Sequence, residues 1–125
     1  DVALGPFYAA TISFNDKLNK LLYKAGQITG DNCWALPIDE RYCNSVKSNV
    51  ADISNTSSKC MRSKAGTITA GAFLSNFVID KKKWCHIDIA SVSMHPVEKL
   101  HLGNSGSTGF GVSLFVELLR TDSYL

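Results

Sequence analysis

Hydrophobic and polar positions alternate along the first half of the chain in a way that predicts a strand, a helix and a second extended segment. Residues 7–14 are rich in aromatic and β-branched side chains, which favours a strand. Asn15 is a good N-cap, and Gly30 is a typical helix end, so residues 15–30 predict an amphipathic helix. The apolar positions that recur at helical spacing are Leu18, Leu21, Leu22, Ala25 and Ile28.

Shorter elements follow this helix. Residues 33–38 are predicted to be extended around Pro37, and residues 39–47 to form a short helix with Tyr42 and Val46 facing inward. Residues 50–53 are a candidate short strand, and the polar stretch 54–64 is typical of a loop. Residues 65–74 carry small side chains on nearly every face, which predicts a helix packed tightly against several neighbours.

The last third of the chain predicts a buried strand, a glycine-rich loop and a buried helix. In the strand, residues 84–91, Cys85, Ile87 and Ile89 lie on one side and Trp84 and Ala90 on the other. A strand that is apolar on both faces belongs in the middle of a sheet covered by helices. The loop spans residues 103–111, and an almost wholly apolar helix runs from about 109 to 119.

The alternation of strands and helices predicts an α/β fold. We expect a three-layer α/β/α arrangement with a mostly parallel, mixed sheet. A chain of 125 residues is the size of one domain, and neither a repeat nor a linker divides it.

Charge and cysteine content narrow the classes of function. The formal charge is only +2, with 13 basic and 11 acidic residues spread along the chain, so neither nucleic acid nor an anionic membrane is expected as a partner. The charge run 80–83 is interpreted as a solvated turn between a helix and a strand, with a partner-binding patch as the alternative. No apolar stretch reaches the length of about 20 residues that a bilayer requires. The 4 cysteines form no C-x-x-C pair, which favours a reducing, cytoplasmic location, although two disulfides stay open as an alternative.

Two groups of residues could carry chemistry. His86 and Asp88 share one face of the predicted strand and could bind a metal or relay a proton, but a hydrogen-bonded structural pair is favoured because no further ligands lie nearby. His95 and His101 are expected to be solvated. Ser105, Ser107 and Thr108 precede a helix and could cradle an anion, although no nucleotide-binding motif is present. The residues alone therefore indicate no catalytic constellation.

Several blocks together resemble the C-terminal part of the catalytic domain of the M17 leucyl aminopeptidases. These blocks are D-V-A-L-G at 1–5, N-C-W-A-L-P at 32–37, A-D-I at 51–53, A-G-T-I-T-A-G-A-F-L at 65–74, W-C-H-I-D-I-A at 84–90 and T-G-F-G-V at 108–112. Their order and spacing match the family across nearly the whole chain, 1–125.

The resemblance implies an enzyme that removes N-terminal, leucine-like residues from peptides with two divalent metal ions, zinc or manganese. In the family, a lysine and several carboxylates bind the metals, and a further lysine and an arginine assist. Those groups lie in segments before the part that this chain resembles, including an N-T-D-A-E-G-R signature that is absent here. The resemblance therefore assigns no catalytic residue and no metal ligand to this chain, which is predicted to be inactive alone.

The same resemblance implies that this part of the family lines the substrate pocket. Ala90, with Ser91, Ser93 and Met94, would line the pocket for the substrate's N-terminal side chain, and Asn55 and Thr56 the following subsite. The family usually has glycine at the position of Ser91, arginine at that of Ala35 and a larger apolar residue at that of Thr56. One expected partner is a peptide substrate. The other is either further copies of the chain, which form a hexamer in the family, or the missing N-terminal segment.

Two other functions stay open. The chain could be a non-catalytic structural or interaction remnant of the same fold, or a small α/β domain that binds a ligand through its glycine-rich loop. As an isolated piece it is expected to expose apolar faces and to associate.

Overall fold

The computed structural model describes residues 3–56, 64–95 and 106–121. The helices and strands in chain order are β1 (Ala9–Ile12), α1 (Asp16–Thr29), β2 (Cys33–Ala35), α2 (Glu40–Ser45), α3 (Gly66–Leu74), β3 (His86–Asp88), β4 (Met94–His95), β5 (Gly106–Ser107) and α4 (Val112–Arg120). Two 3-10 turns, Ser75–Phe77 and Lys81–Lys83, lie between α3 and β3. The chain divides into two compact units, one of residues 1–10, 20–34 and 87–125, the other of residues 11–19 and 35–86.

Strand β1 is the central strand of a three-stranded sheet with the order β2-β1-β3. All four of its residues are buried. The Ala9 amide donates to the Asn32 carbonyl and the Leu36 amide to the Thr11 carbonyl, both at 2.9 Å. Both bonds advance in the same chain direction, so β1 and β2 are parallel and α1 connects them as a βαβ unit.

Strand β3 lies at an edge of this sheet and is shorter than predicted. The strand covers only three residues, all half-buried, whereas Ile89 and Ala90 follow it in an exposed turn. The prediction of a central strand over 84–91 is therefore wrong, because much of that apolar run lies outside the ladder. Ser13 Oγ donates to the Trp84 carbonyl and Asn15 Nδ2 to the Lys82 carbonyl, so the chain leading into β3 runs opposite to the chain leaving β1.

Helix α1 has the predicted boundaries because both ends carry local signals. Asn15 Oδ1 accepts hydrogen bonds from the amides of Lys17 and Leu18 at 3.0 and 3.3 Å, as an N-cap does. At the other end Gly30 adopts a positive φ of 85° that an L-residue disfavours. The predicted inward position of Ile28 is wrong, since its side chain is 70% exposed.

The unit formed by residues 11–19 and 35–86 contains α2 and α3. Asp39 caps α2 by accepting from the Arg41 amide at 2.9 Å, and Val46 is buried as predicted. Residues 50–53 form no strand, and Val50 is fully exposed, so that alternative is wrong. The tight packing predicted for α3 is confirmed at Gly71, where an added Cβ would lie 2.8 Å from Ile12 Cγ2. The prediction that several sides are packed is wrong, because Gly66, Ala70 and Leu74 are exposed.

Helix α4 belongs to the other unit and is less buried than predicted. It begins at Val112 because Gly109 and Gly111 adopt positive φ angles of 69° and 97°. Leu114 is its one buried residue. A stripe of apolar side chains, which we call the α4 stripe, is 50–67% exposed: Val112, Phe115, Val116 and Leu119. The prediction of a buried last helix is wrong, because helical spacing shows that a face is apolar without showing that anything covers it.

The α/β class predicted from the sequence is confirmed, with a small sheet arrangement that includes both parallel and antiparallel strands. The strands β4 and β5 pair antiparallel, with Met94 opposite Ser107 and His95 opposite Gly106, and were not predicted. In the three ranges that the structure describes, none of the helices has the length and apolarity needed to cross a bilayer.

Candidate functional site

The turn that follows β3 holds Ala90 in a fixed, outward position. The Ala90 amide donates to Asp88 Oδ1 at 3.1 Å. The amides of Val92 and Ser93 both donate to the Ile89 carbonyl, at 3.1 and 2.9 Å. Val92 is buried and Ala90 is exposed, so the turn is anchored through Val92 and presents Ala90 on its outer side. We call residues 89–93 the β3 turn.

The structure brings four of the predicted site residues together in and directly after this turn. Ser91 and Ser93 are half-buried and Met94 is 60% exposed; all three follow Ala90 within four residues. The surface that they share is small and mixed: a methyl group, two hydroxyls and one flexible thioether. Such a surface can contact an apolar side chain and also offer hydrogen bonds to a peptide backbone.

Thr108 ties the β3 turn to the segment that enters α4. Its amide donates to the Ser93 carbonyl at 2.9 Å, and its Oγ1 donates to the Val92 carbonyl at 2.6 Å. The same Oγ1 accepts from the Phe110 amide at 3.1 Å. From the sequence, Thr108 is only a possible member of an anion cradle, and no local signal connects it with a turn 16 residues earlier.

The amides at the start of α4 bind a carboxylate of the protein itself. Asp31 Oδ2 accepts from the amides of Gly111 and Leu114 at 3.1 and 3.2 Å. Ser107 Oγ accepts from the Gly109 amide at 3.3 Å, and Ser105 lies outside the described residues. Two of the amides that an anion could use at this helix end are therefore engaged by Asp31, which argues against an anion site in the described part of the loop, residues 106–111.

Asn55 and Thr56 belong to the other unit, which is formed by residues 11–19 and 35–86. Both are exposed and lie at the end of the range 3–56. The Ser54 amide donates to the Val46 carbonyl at 2.8 Å, which fixes the chain just before them to the end of α2. Their role in a second subsite stays a prediction.

The candidate metal or relay pair has a structural explanation at Asp88, whose Oδ1 accepts from the Ala90 amide and so shapes the β3 turn. His86 is half-buried, and its carbonyl accepts from Cys85 Sγ at 3.4 Å. His95 lies in β4, and His101 lies outside the described residues. Across 3–56, 64–95 and 106–121, no three His, Cys, Asp or Glu side chains come together to hold a metal ion. These residues do not fit a two-metal centre.

Cys85 is not poised as a nucleophile. Its partial burial raises the pKa of the thiol to about 11, so it is protonated at neutral pH. Cys43 and Cys85 are not disulfide-bonded, so the alternative with two disulfides among the 4 cysteines is wrong. An open groove of about 370 Å³ lies near Cys85, whose Sγ is 3.9 Å from Asn19 Oδ1. The groove is lined by Ser13, Asp16, Asn19, Ala35, Leu36, Pro37 and Ile38.

The family assignment follows from comparison with known proteins. The sequence model of the cytosol aminopeptidase family, catalytic domain, called Peptidase_M17, matches residues 1–116. This chain belongs to that family. The resemblance found in the sequence is thereby confirmed.

Individual relatives agree with the assignment. The chain is 47% identical over 119 residues to the probable cytosol aminopeptidase of Chloroherpeton thalassium and 44% identical over 119 residues to that of Chlorobium limicola. Each match covers 95% of this chain and 22% of the relative. A mutant of tomato leucine aminopeptidase has a similar structure, with a TM-score of 0.78 and 38% identity over 95% of this chain and 22% of that one. The chain thus spans about a fifth of the length of the relatives that it matches.

Proposed function

We propose that this chain is the C-terminal portion of an M17 catalytic domain and supplies walls of the substrate pocket in a metal-dependent aminopeptidase. The observation that carries the proposal is the β3 turn. Its backbone is fixed by hydrogen bonds while Ala90 faces outward, as a pocket wall that must keep its shape requires.

The chemistry of the turn fits the recognition of a leucine-like side chain. The small Ala90 leaves space in front of a rigid backbone, and Met94 offers a polarisable apolar chain that adapts to branched ligands. Apolar pockets of this kind discriminate between two substrates that differ by one methylene group by about 1–3 kcal/mol. Ser91 adds bulk and a hydroxyl beside Ala90, and the hydroxyl of Thr56 would make the following subsite more polar.

The metal ions, for which we propose zinc or manganese, would be held by segments of the family protein outside this chain. The described residues offer no cluster of three ligands, and the relatives are more than four times longer. We further propose a peptide substrate, a cytoplasmic location and assembly into a homo-oligomer, six copies in the family.

A chimera tests this function. Residues 1–125 would replace the matched segment of the Chloroherpeton thalassium relative, and hydrolysis of leucyl-p-nitroanilide would be measured with Mn²⁺ or Zn²⁺. We expect turnover by the chimera and none by the 125-residue chain. Turnover by the chain alone would contradict the assignment of the catalytic groups to other segments.

Pocket substitutions in the chimera test the role of the turn. Ala90→Phe fills the proposed pocket and should lower kcat/KM for the leucyl substrate by at least about tenfold, since overpacking a shaped site is costly. Ala70→Phe is the matched control because Ala70 is exposed on α3. Equal effects of the two substitutions would remove Ala90 from the pocket.

The alternative is a non-catalytic interaction protein of the same fold. The α4 stripe favours it, because exposed apolar faces of this kind mark interaction surfaces. A chimera that folds, binds metal and fails to hydrolyse any aminoacyl-p-nitroanilide would support this alternative.

A further inference from the structure

The hydrogen bonds around Thr108 close the open end of the β4–β5 ladder. The paired residues are Met94 with Ser107 and His95 with Gly106, so Ser93 and Thr108 form the next pair, joined by the Thr108 amide at 2.9 Å. Beyond this pair the chain turns away at Gly109, whose φ is 69° and whose amide donates to Ser107 Oγ. The Val92 carbonyl would therefore lack a backbone donor from this strand.

The hydroxyl of Thr108 takes the place of that missing donor. Oγ1 donates to the Val92 carbonyl at 2.6 Å, and the Thr108 amide donates to the Ser93 carbonyl. Thr108 therefore binds two consecutive carbonyls of the β3 turn. The hydroxyl also accepts from the Phe110 amide at 3.1 Å, which fixes its orientation. Because threonine is branched at Cβ, its χ1 is restricted, and the hydroxyl is held ready for both bonds.

We infer that Thr108 is a positioning residue for the proposed substrate pocket, clamping the carbonyls of Val92 and Ser93 and thereby fixing Ala90 and Ser91. This inference rests on the proposed function. Within the turn, the amides of Val92 and Ser93 both donate to the Ile89 carbonyl, so a shift of their peptide planes changes the loop that carries Ala90. Binding sites lose selectivity when supporting residues let a wall move by about 1 Å.

Hydrogen exchange on the 125-residue chain tests the clamp without any assumption about activity. Thr108→Val keeps the shape and removes the hydroxyl. We expect the amides of Val92 and Ser93 to exchange about tenfold faster, as for loss of one shielded hydrogen bond, while Leu22 in α1 is unchanged. Thr108→Ser should restore slow exchange, and Ser107→Ala is the neighbouring control. Unchanged exchange at Val92 and Ser93, or an equal increase at Leu22, would overturn the clamp.

Selectivity of the chimera tests the functional consequence. The ratio of kcat/KM for leucyl- over alanyl-p-nitroanilide should fall about tenfold in Thr108→Val and stay near the parent value in Thr108→Ser. A merely structural role lowers both rates equally and leaves the ratio unchanged, which would overturn the inference. A chimera with no preference for leucine refutes the proposed function, whereas the exchange rates support or overturn the clamp independently.

Discussion

Asp31→Ala should destabilise the chain by about 2 kcal/mol, because Asp31 caps α4 across a sequence distance of 80 residues. The residue at the N-cap position, Gly111, has no side chain, so α4 lacks a local cap. Asp31 Oδ2 supplies the missing acceptor to the amides of Gly111 and Leu114 at 3.1 and 3.2 Å. In the Asp31→Ala variant the amides of Gly111 and Leu114 lose this acceptor at the start of α4.

The magnitude follows from three overlapping effects. Loss of a side-chain N-cap costs about 0.5–2 kcal/mol, and a hydrogen bond to a charged group contributes about 1.5–3 kcal/mol. The carboxylate also interacts favourably with the positive end of the helix dipole, by about 0.3–1 kcal/mol. These effects describe one interaction and do not add. Asp31 is half-buried, so water replaces part of what is lost, which places the net cost near 2 kcal/mol.

Urea unfolding followed by circular dichroism measures the effect. Asp31→Asn keeps an oxygen acceptor and loses only the charge, so we expect a cost of about 0.3–1 kcal/mol. Asp52→Ala is the control, since Asp52 is exposed and should change stability by less than about 0.5 kcal/mol. An Asp31→Ala variant as stable as the control would show that Asp31 does not cap α4, and an equal loss in Asp31→Ala and Asp31→Asn would show that the oxygen acceptor is not what matters.

Three further predictions concern the unit formed by residues 11–19 and 35–86. Gly71→Ala should destabilise by about 1–3 kcal/mol because its Cβ would meet Ile12, whereas Gly66→Ala, with open space around it, should not; urea unfolding separates the two. Asn15→Ala removes the cap of α1 and should cost about 1 kcal/mol by the same assay. Burial raises the pKa of Cys85 from 9.0 to about 11, so its contribution to stability is present below pH 9 and is lost as pH rises toward 11. Cys85→Ser should abolish that part of the pH dependence, and an unaltered profile would contradict it.

The sequence predicts an element well where the signals are local. Helix α1 has its cap, its spacing and its final glycine within 16 residues; the structure reproduces the cap, the final glycine and the apolar spacing except at Ile28. The apolar run 84–91 failed as a central strand because hydrophobicity does not distinguish a ladder from the turn after it. Strands β4 and β5, two residues each, are too short to carry any periodicity.

The site is harder to predict because its order comes from tertiary contacts. Ala90 and its neighbours were assigned through family resemblance, and their pocket role stays a prediction. The structure adds that they share one turn and that Thr108 and Asp31 hold the segments around it. No spacing in the chain indicates that an aspartate after α1 caps the last helix, since that contact exists only once the fold has formed.

The α4 stripe makes the stability of the chain depend on its surroundings. Any molecule that covers Val112, Phe115, Val116 and Leu119 only when they are folded on one helix face raises the melting temperature by mass action. The same chain then has one melting temperature in dilute solution and a higher one at saturating concentrations of whatever covers the stripe. In a cell, a chain whose α4 stripe is uncovered has a larger steady-state unfolded fraction than a chain whose stripe is covered. It is therefore more exposed to proteolysis.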